Sequence, residues 1–187
     1  EPDGLFPTVA FPNPEEPGAL DLAYEAATAS NAELIIAHDP DADRLAVALP
    51  EGEADARSWR RLTGNEVGLL LGWRAAREAA AAGGADASAS LACSLVSSPG
   101  LRVIAEHYGL SAHETLTGFK WISRAPGMIF GFEEALGYLV NPETVRDKDG
   151  VSAAIAILGL ATAARAEGRT LADELTEMGT LFGHFAS

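Results

Sequence analysis

Apolar positions along the chain follow two rhythms, one helical and one extended, and their alternation sets the expected order of elements. After a proline-rich opening (residues 1–17, with "FPTVAF" as a short strand), "GALDLAYEAATASN" carries apolar residues at 20, 23, 24 and 27. That i, i+3, i+4, i+7 stripe predicts an amphipathic helix, stopped at Asn31. The runs "AELIIAH" and "RLAVAL" predict two buried strands separated by an acidic loop, and "PEGEADARSW" a surface linker with a domain boundary near residue 58. Thr63 and Glu66 form a capping box, with Leu62 and Val67 spaced for a hydrophobic staple, opening a helix that ends at Gly83 and Gly84. "SASLACSLVSS" predicts a buried strand, and Ser98 and Pro99 open a helix ending at Gly109. "SAHETL" reads as a strand, "TGFKWI" as a turn into a short helix, and "GMIFGF" as a strand running into the acidic loop "EEALGY". A long apolar helix over 150–166 and a shorter one over 170–178, capped by Thr170 and Asp173, complete the pattern. Strands alternating with helices predict an α/β fold with a mostly parallel sheet.

Composition narrows the function classes. The 187 residues are 48% hydrophobic and 21% charged, which is globular and sufficient for a sizeable core. No apolar run approaches the roughly 20 residues that span a bilayer, and the polar opening has no signal-peptide pattern, so a cytoplasmic protein is expected. A formal net charge of −14 argues against nucleic acid and anionic membranes as partners, while leaving room for a small anionic substrate. The single cysteine, Cys93, excludes an internal disulfide and is expected as a small buried hydrophobe. Arginine supplies nearly all the positive charge; the two lysines, Lys120 in "TGFKWI" and Lys148 in "RDKDG", both fall in motif-like stretches.

The acidic loop changes the picture most. "AHDPDADRLAVAL" places Asp39, Asp41 and Asp43 at alternate positions with Arg44 directly after. Three like charges so close repel one another unless a cation sits among them, and either Arg44 or a divalent metal answers that need. A curled backbone would turn the three carboxylates into an oxygen cage suited to magnesium. A calcium loop of the EF-hand type would need Gly and Glu where this chain has Arg44 and Pro50. A phosphatase of the haloacid dehalogenase type, with Asp39 as nucleophile and Asp41 as acid–base, would normally continue to Thr or Gly rather than to Asp43 and Arg44. A solvated acidic turn fits poorly between two apolar strands. His38 is expected to pack at the strand end and Trp121 in the core. His107, His113 and His184 belong to no constellation.

With "FPNPEEPGAL", "LTGNEVG", "TLTGFKWI", "GFEEALGY" and "RDKDG" in that order, "DPDADR" resembles the metal loop of the α-D-phosphohexomutases, particularly their phosphoglucomutase and phosphopentomutase-like branch. The motifs span about residues 6–155. The resemblance implies three-layer α/β domains with mixed, mostly parallel sheets, and a magnesium ion held by Asp39, Asp41 and Asp43 with a phosphoserine oxygen. It implies that Arg44 stabilises the transferring phosphoryl group and that Lys148 serves acid–base work or phosphate contact. A lysine near a metal and other cations would have its pKa lowered towards neutrality, which suits proton transfer to a sugar hydroxyl. Thr117, Gly118 and Lys120 would line the substrate loop, and Glu133 would bind sugar hydroxyls. Ala135 stands where the family commonly has a serine, which fits the branch that also handles pentose phosphates.

The family's chains are more than twice this length and carry a "TASHNP"-like phosphoserine motif; "TASN" at 28–31 is not one. The resemblance therefore implies the later part of the second domain at residues 1–58 and the third domain at 59–187. Its partners would be a sugar phosphate and the remaining domains, and the chain alone would be inactive. A sheet edge left open by the missing part would offer a homodimer contact. The rival reading outside catalysis is a binding module for a metal or a sugar phosphate.

Overall fold

Local chemistry sets the first sheet. The computed structural model describes residues 3–52, 58–83 and 88–185. Helix α1 (Asp21–Ala29) ends as expected: Ser30 caps it and Asn31 turns away in the left-handed region at φ +52°. Strands β1 (Ile35–Ala37) and β2 (Ala46–Glu51) follow, paired antiparallel with Ile35 opposite Ala48 and Ala37 opposite Ala46. Alternation divides the faces. Ile35 and Ala48 meet Ala27 beneath α1, whereas Val47 and Leu49 enter the main core with Ile36 packed against it. Strand β3 (Ser58–Arg61), overlapping the end of the expected linker, pairs antiparallel with β2. Residues 53–57 of that linker and Gly84 lie outside the described residues. "FPTVAF" is a succession of turns, not a strand.

The second sheet has the order β5-β4-β6-β7. Strands β4 (Ser90–Ser94), β5 (Ser111–Thr115) and β6 (Met128–Glu133) are parallel, and β7 (Gly137–Leu139) returns antiparallel to β6. The mixed, mostly parallel pairing expected of the fold is found in this sheet, while the first sheet is antiparallel. Here the helices α3 (Gly100–His107) and α4 (Phe119–Ile122) provide the crossovers that parallel neighbours require. In the first sheet β1 and β2 are joined by a loop alone, which permits only the antiparallel return.

Helices cover both faces. Helix α2 (Gly64–Ala81) opens with the expected capping box: the Glu66 N–H donates to Thr63 Oγ1 (3.1 Å) and the Thr63 N–H to Glu66 Oε2 (2.8 Å). It lies almost flush on β6, since a Cβ at Gly68 would stand 2.2 Å from the Phe132 ring and one at Gly64 1.7 Å from the Glu134 carbonyl oxygen. Leu91, Cys93, Phe130, Phe132 and Tyr138 fill the core on that side with α5 (Gly150–Ala166) and α6 (Leu171–Phe182). Ala92, Met128 and Leu139 point to the other face, under Phe119 and Ile122 of α4. Trp121, expected in the core, is instead 41% exposed, because a four-residue helix buries only one side and Phe119 and Ile122 occupy it. No single helix among the described residues is long and apolar enough to cross a membrane.

Candidate metal and sugar phosphate site

The loop from His38 to Arg44 is curled at Ala42, which adopts φ +57°, and the Ala42 N–H donates to the Asp39 carbonyl (3.0 Å). A non-glycine residue there costs roughly 1–2 kcal/mol, and the surroundings hold it in place. His38 Nδ1 donates to the Arg44 carbonyl across the neck of the loop at 2.7 Å; a carbonyl only accepts, so this nitrogen carries the proton. The Gly150 N–H donates to the Ala42 carbonyl (3.1 Å), bringing the start of α5 against the loop. A Cβ at Gly150 would stand 2.3 Å from the Arg44 carbonyl oxygen, so only glycine permits that approach. The second sheet grips the loop's far end: Arg44 bridges to Gly137, and the Leu45 N–H donates to the Leu136 carbonyl (3.1 Å).

That scaffold gathers the three aspartates. One carboxylate oxygen from each of Asp39, Asp41 and Asp43 lies within 4.8 Å of the other two. An all-oxygen, anionic donor set of this span suits a hard divalent cation that keeps water or phosphate in its other positions. Arg44 stands beside it, Nε 3.5 Å from Asp39 and 4.0 Å from Asp43, while its backbone N–H donates to Asp39 Oδ1 (3.1 Å). The Arg44 Nε is buried and makes no hydrogen bond, the Asp39 carboxylate at 3.5 Å being its nearest counter-charge.

Lys148 and Glu133 complete the cluster. Lys148 Nζ lies 2.6 Å from Asp43 Oδ2. Burial disfavours its charge, but the hydrogen bond and attraction of Asp43, with Asp147 and Glu133 adding, outweigh burial and raise its pKa above the usual lysine value. The lowering towards neutrality is expected of a lysine beside a metal and other cations, whereas the groups acting on this ammonium here are carboxylates. Glu133 ends β6. Burial raises its pKa, opposed by Lys148, reinforced by Glu134, and opposed by Arg44 and a hydrogen bond from the Gly118 backbone. Glu134 turns away: its Oε2 accepts from Ser94 Oγ (3.0 Å) and Ser97 Oγ (2.8 Å), tying the β6–β7 turn to the end of β4.

Asp39, Asp41, Asp43, Arg44, Lys148, Glu133 and Gly118 thus form one neighbourhood. Thr117 and Lys120 flank Gly118 in exposed positions, and Ala135 is half-buried in the β6–β7 turn. Gly137 and Gly150 are supporting residues with no signal of their own in the sequence, and His38, expected to pack at the strand end, also clamps the loop. Gly137 lies in "GFEEALGY" and leaves room for both Lys148 Cδ and Glu133 Cγ, while Gly150 ends "RDKDG". Cys93 is buried as expected, its thiol pushed up to about 12 by burial and then by Glu114.

Comparison with known proteins matches residues 1–52 to phosphoglucomutase/phosphomannomutase, alpha/beta/alpha domain II, and residues 63–181 to domain III. A probable phosphomannomutase of Haemophilus influenzae is 55% identical over 186 residues, covering 100% of this chain and 37% of its own length. A human phosphopentomutase is 41% identical over 196 residues, covering 98% of this chain and 31% of its own. A phosphoglucomutase/phosphomannomutase family protein from Burkholderia thailandensis superposes with a TM-score of 0.71 at 20% identity, over 96% of this chain and 35% of that one. The chain spans about a third of the length of the curated relatives it matches.

Proposed function

The chain belongs to the phosphoglucomutase/phosphomannomutase family, and from that premise we propose that it is the metal-holding and sugar-reading part of a sugar phosphate mutase. The observation that carries this reading is the convergence of three carboxylates, Arg44, Lys148 and Glu133 from separate elements on one loop. Residues 1–58 are read as the later part of domain II and residues 59–187 as domain III. The complete protein would interconvert a sugar 1-phosphate with the 6-phosphate of a hexose or the 5-phosphate of a pentose. It would do so through a phosphoserine supplied by another domain and a bisphosphate intermediate.

Asp39, Asp41 and Asp43 would hold Mg2+, which supplies charge neutralisation for phosphoryl transfer. Arg44 would donate from Nε to the phosphoryl oxygens as charge develops on them. Lys148, held charged by Asp43, would act as a proton donor or phosphate contact rather than as a resting base. Glu133, oriented by the Gly118 N–H, would accept from sugar hydroxyls. Thr117 and Lys120 would contribute from the α4 loop. At Ala135, the lack of the family's common hydroxyl would loosen discrimination between hexose and pentose. The open edge of β1 would offer a homodimer contact, and a monomeric sedimentation profile would count against it.

Without a phosphoserine the isolated chain should bind a sugar phosphate but not turn it over. Titration with glucose 1-phosphate in Mg2+, followed by NMR, should give saturable shifts around Glu133 that are lost in Glu133→Gln. Sustained isomerisation by this chain alone would refute its inactivity, and binding indifferent to Glu133→Gln would refute the sugar-reading role.

A further inference from the structure

Every described lysine and arginine outside residues 120–146 has a carboxylate within 4.0 Å. In a chain of net charge −14 that is the expected state of a cation. Lys120, Arg124 and Arg146 are the exceptions among the described residues, and all three gather at α4. Lys120 and Arg124 are one turn apart: the Ser123 N–H donates to the Phe119 carbonyl and the Arg124 N–H to the Trp121 carbonyl, so the backbone is still winding at Arg124. Arg146 reaches the same end from the loop before α5, its Nη1 donating to the Ser123 carbonyl at 3.1 Å. The nearest acid in sequence, Asp147, is committed elsewhere, its Oδ1 accepting from the Lys148 N–H (2.8 Å).

Capping the end of α4 accounts for one N–H of Arg146 and leaves its remaining donors, with those of Lys120 and Arg124, facing solvent. The Lys120 ammonium rests over the Trp121 ring, 5.5 Å from its centroid, a cation–π contact that is weak at an exposed site. An anion binding there would draw the ammonium off the ring. We propose that Lys120, Arg124 and Arg146 form a subsite for the phosphate group of a monoester, one helical turn beyond Gly118. The proposal rests on the mutase reading only for the identity of the molecule that carries the phosphate. Three cations against a dianion match phosphate better than a carboxylate, and the planar guanidinium forks of the two arginines suit its paired oxygens. The patch extends the Glu133 site along α4, so a ligand could engage both.

The test uses the 187-residue chain in a chelator, so that no divalent ion bridges phosphate to the aspartates. Inorganic phosphate is titrated at constant ionic strength, followed by tryptophan emission and by NMR of the Lys120–Arg124 amides. The expected result is one saturable response, weakened about tenfold or more in the Lys120→Gln, Arg124→Gln, Arg146→Gln triple variant, as loss of three exposed charge contacts implies. Trp121→Phe should lose the fluorescence change while keeping the NMR shifts. A response reproduced by chloride, retained in the triple variant, or centred on Arg44 and Lys148 would overturn the proposal. A second arm titrates glucose 1-phosphate. Tighter binding than inorganic phosphate that falls back to the same value in Glu133→Gln identifies a sugar phosphate as the ligand. Equal affinity means that the phosphate alone is read; the subsite then stands while the sugar-reading role of Glu133 fails.

Discussion

Glu133 illustrates how the site taxes the fold at single-residue scale. Its folded pKa is raised by burial, so its contribution to stability is present below the ordinary carboxylate value of 4.5 and is lost as pH rises through the folded value. Glu133→Gln should therefore unfold at a higher temperature than the parent near pH 7, the gap closing below pH 4.5. An unchanged gap across that range would mean that Lys148 and Arg44 fully offset the burial. Cys93 follows the same sign at the alkaline end. With the thiol raised from 9.0 to about 12, its stabilising effect is intact below pH 9 and drains away between pH 9 and 12. The advantage of the parent over Cys93→Ala should shrink across that window, and the native thiol should resist alkylation at pH 8 until the chain unfolds. The aspartate triad, Arg44, Lys148 and Glu133 were visible in the sequence because their chemistry is dense there. The clamping role of His38 and the close approach at Gly150 were not, since both exist only once β1, β2 and α5 are in place.

At the scale of elements, two glycines should respond in opposite directions. Gly68 faces the Phe132 ring across the α2–β6 contact, so Gly68→Ala should destabilise the chain by about 1–3 kcal/mol through overpacking. Gly159 lies on the exposed side of α5 with open space where a Cβ would go, so Gly159→Ala should stabilise by roughly 0.8–1 kcal/mol. Thermal unfolding of both variants checks the pair, and equal signs would mean that α2 can shift away from β6. The helices were the readable elements: the Thr63–Glu66 and Thr170–Asp173 boxes are both formed, and α5 spans the expected residues. The short strands were not. Strand β3, "SWRR", has too little apolar character to signal itself and exists because β2 offers an edge. Strand β7, three residues long, is buried throughout and therefore shows no alternation. The antiparallel first sheet did carry a sign, the absence of a helix between β1 and β2, which the general helix–strand alternation obscured.

At the scale of the molecule, the two sheets act as one support. The first sends out the aspartate loop, the second closes on it through Arg44–Gly137 and Leu45–Leu136, and α5 seals the remaining side through Gly150. That arrangement explains how three carboxylates persist close together, with Arg44 and Lys148 as their counter-charges among the described residues: the backbone holds them, and two cations partly neutralise them. It also makes the central claim testable on this chain, because the cage requires no residue from elsewhere to bring its three oxygens together. The decisive measurement is a Mn2+ titration of the chain and of Asp41→Asn by paramagnetic resonance, Mn2+ standing in for Mg2+ as an oxygen-preferring octahedral ion. The account predicts one saturable site in the parent and its loss in Asp41→Asn, with the two proteins unfolding at similar temperatures. No saturable site, or one that Asp41→Asn leaves unchanged, would contradict it.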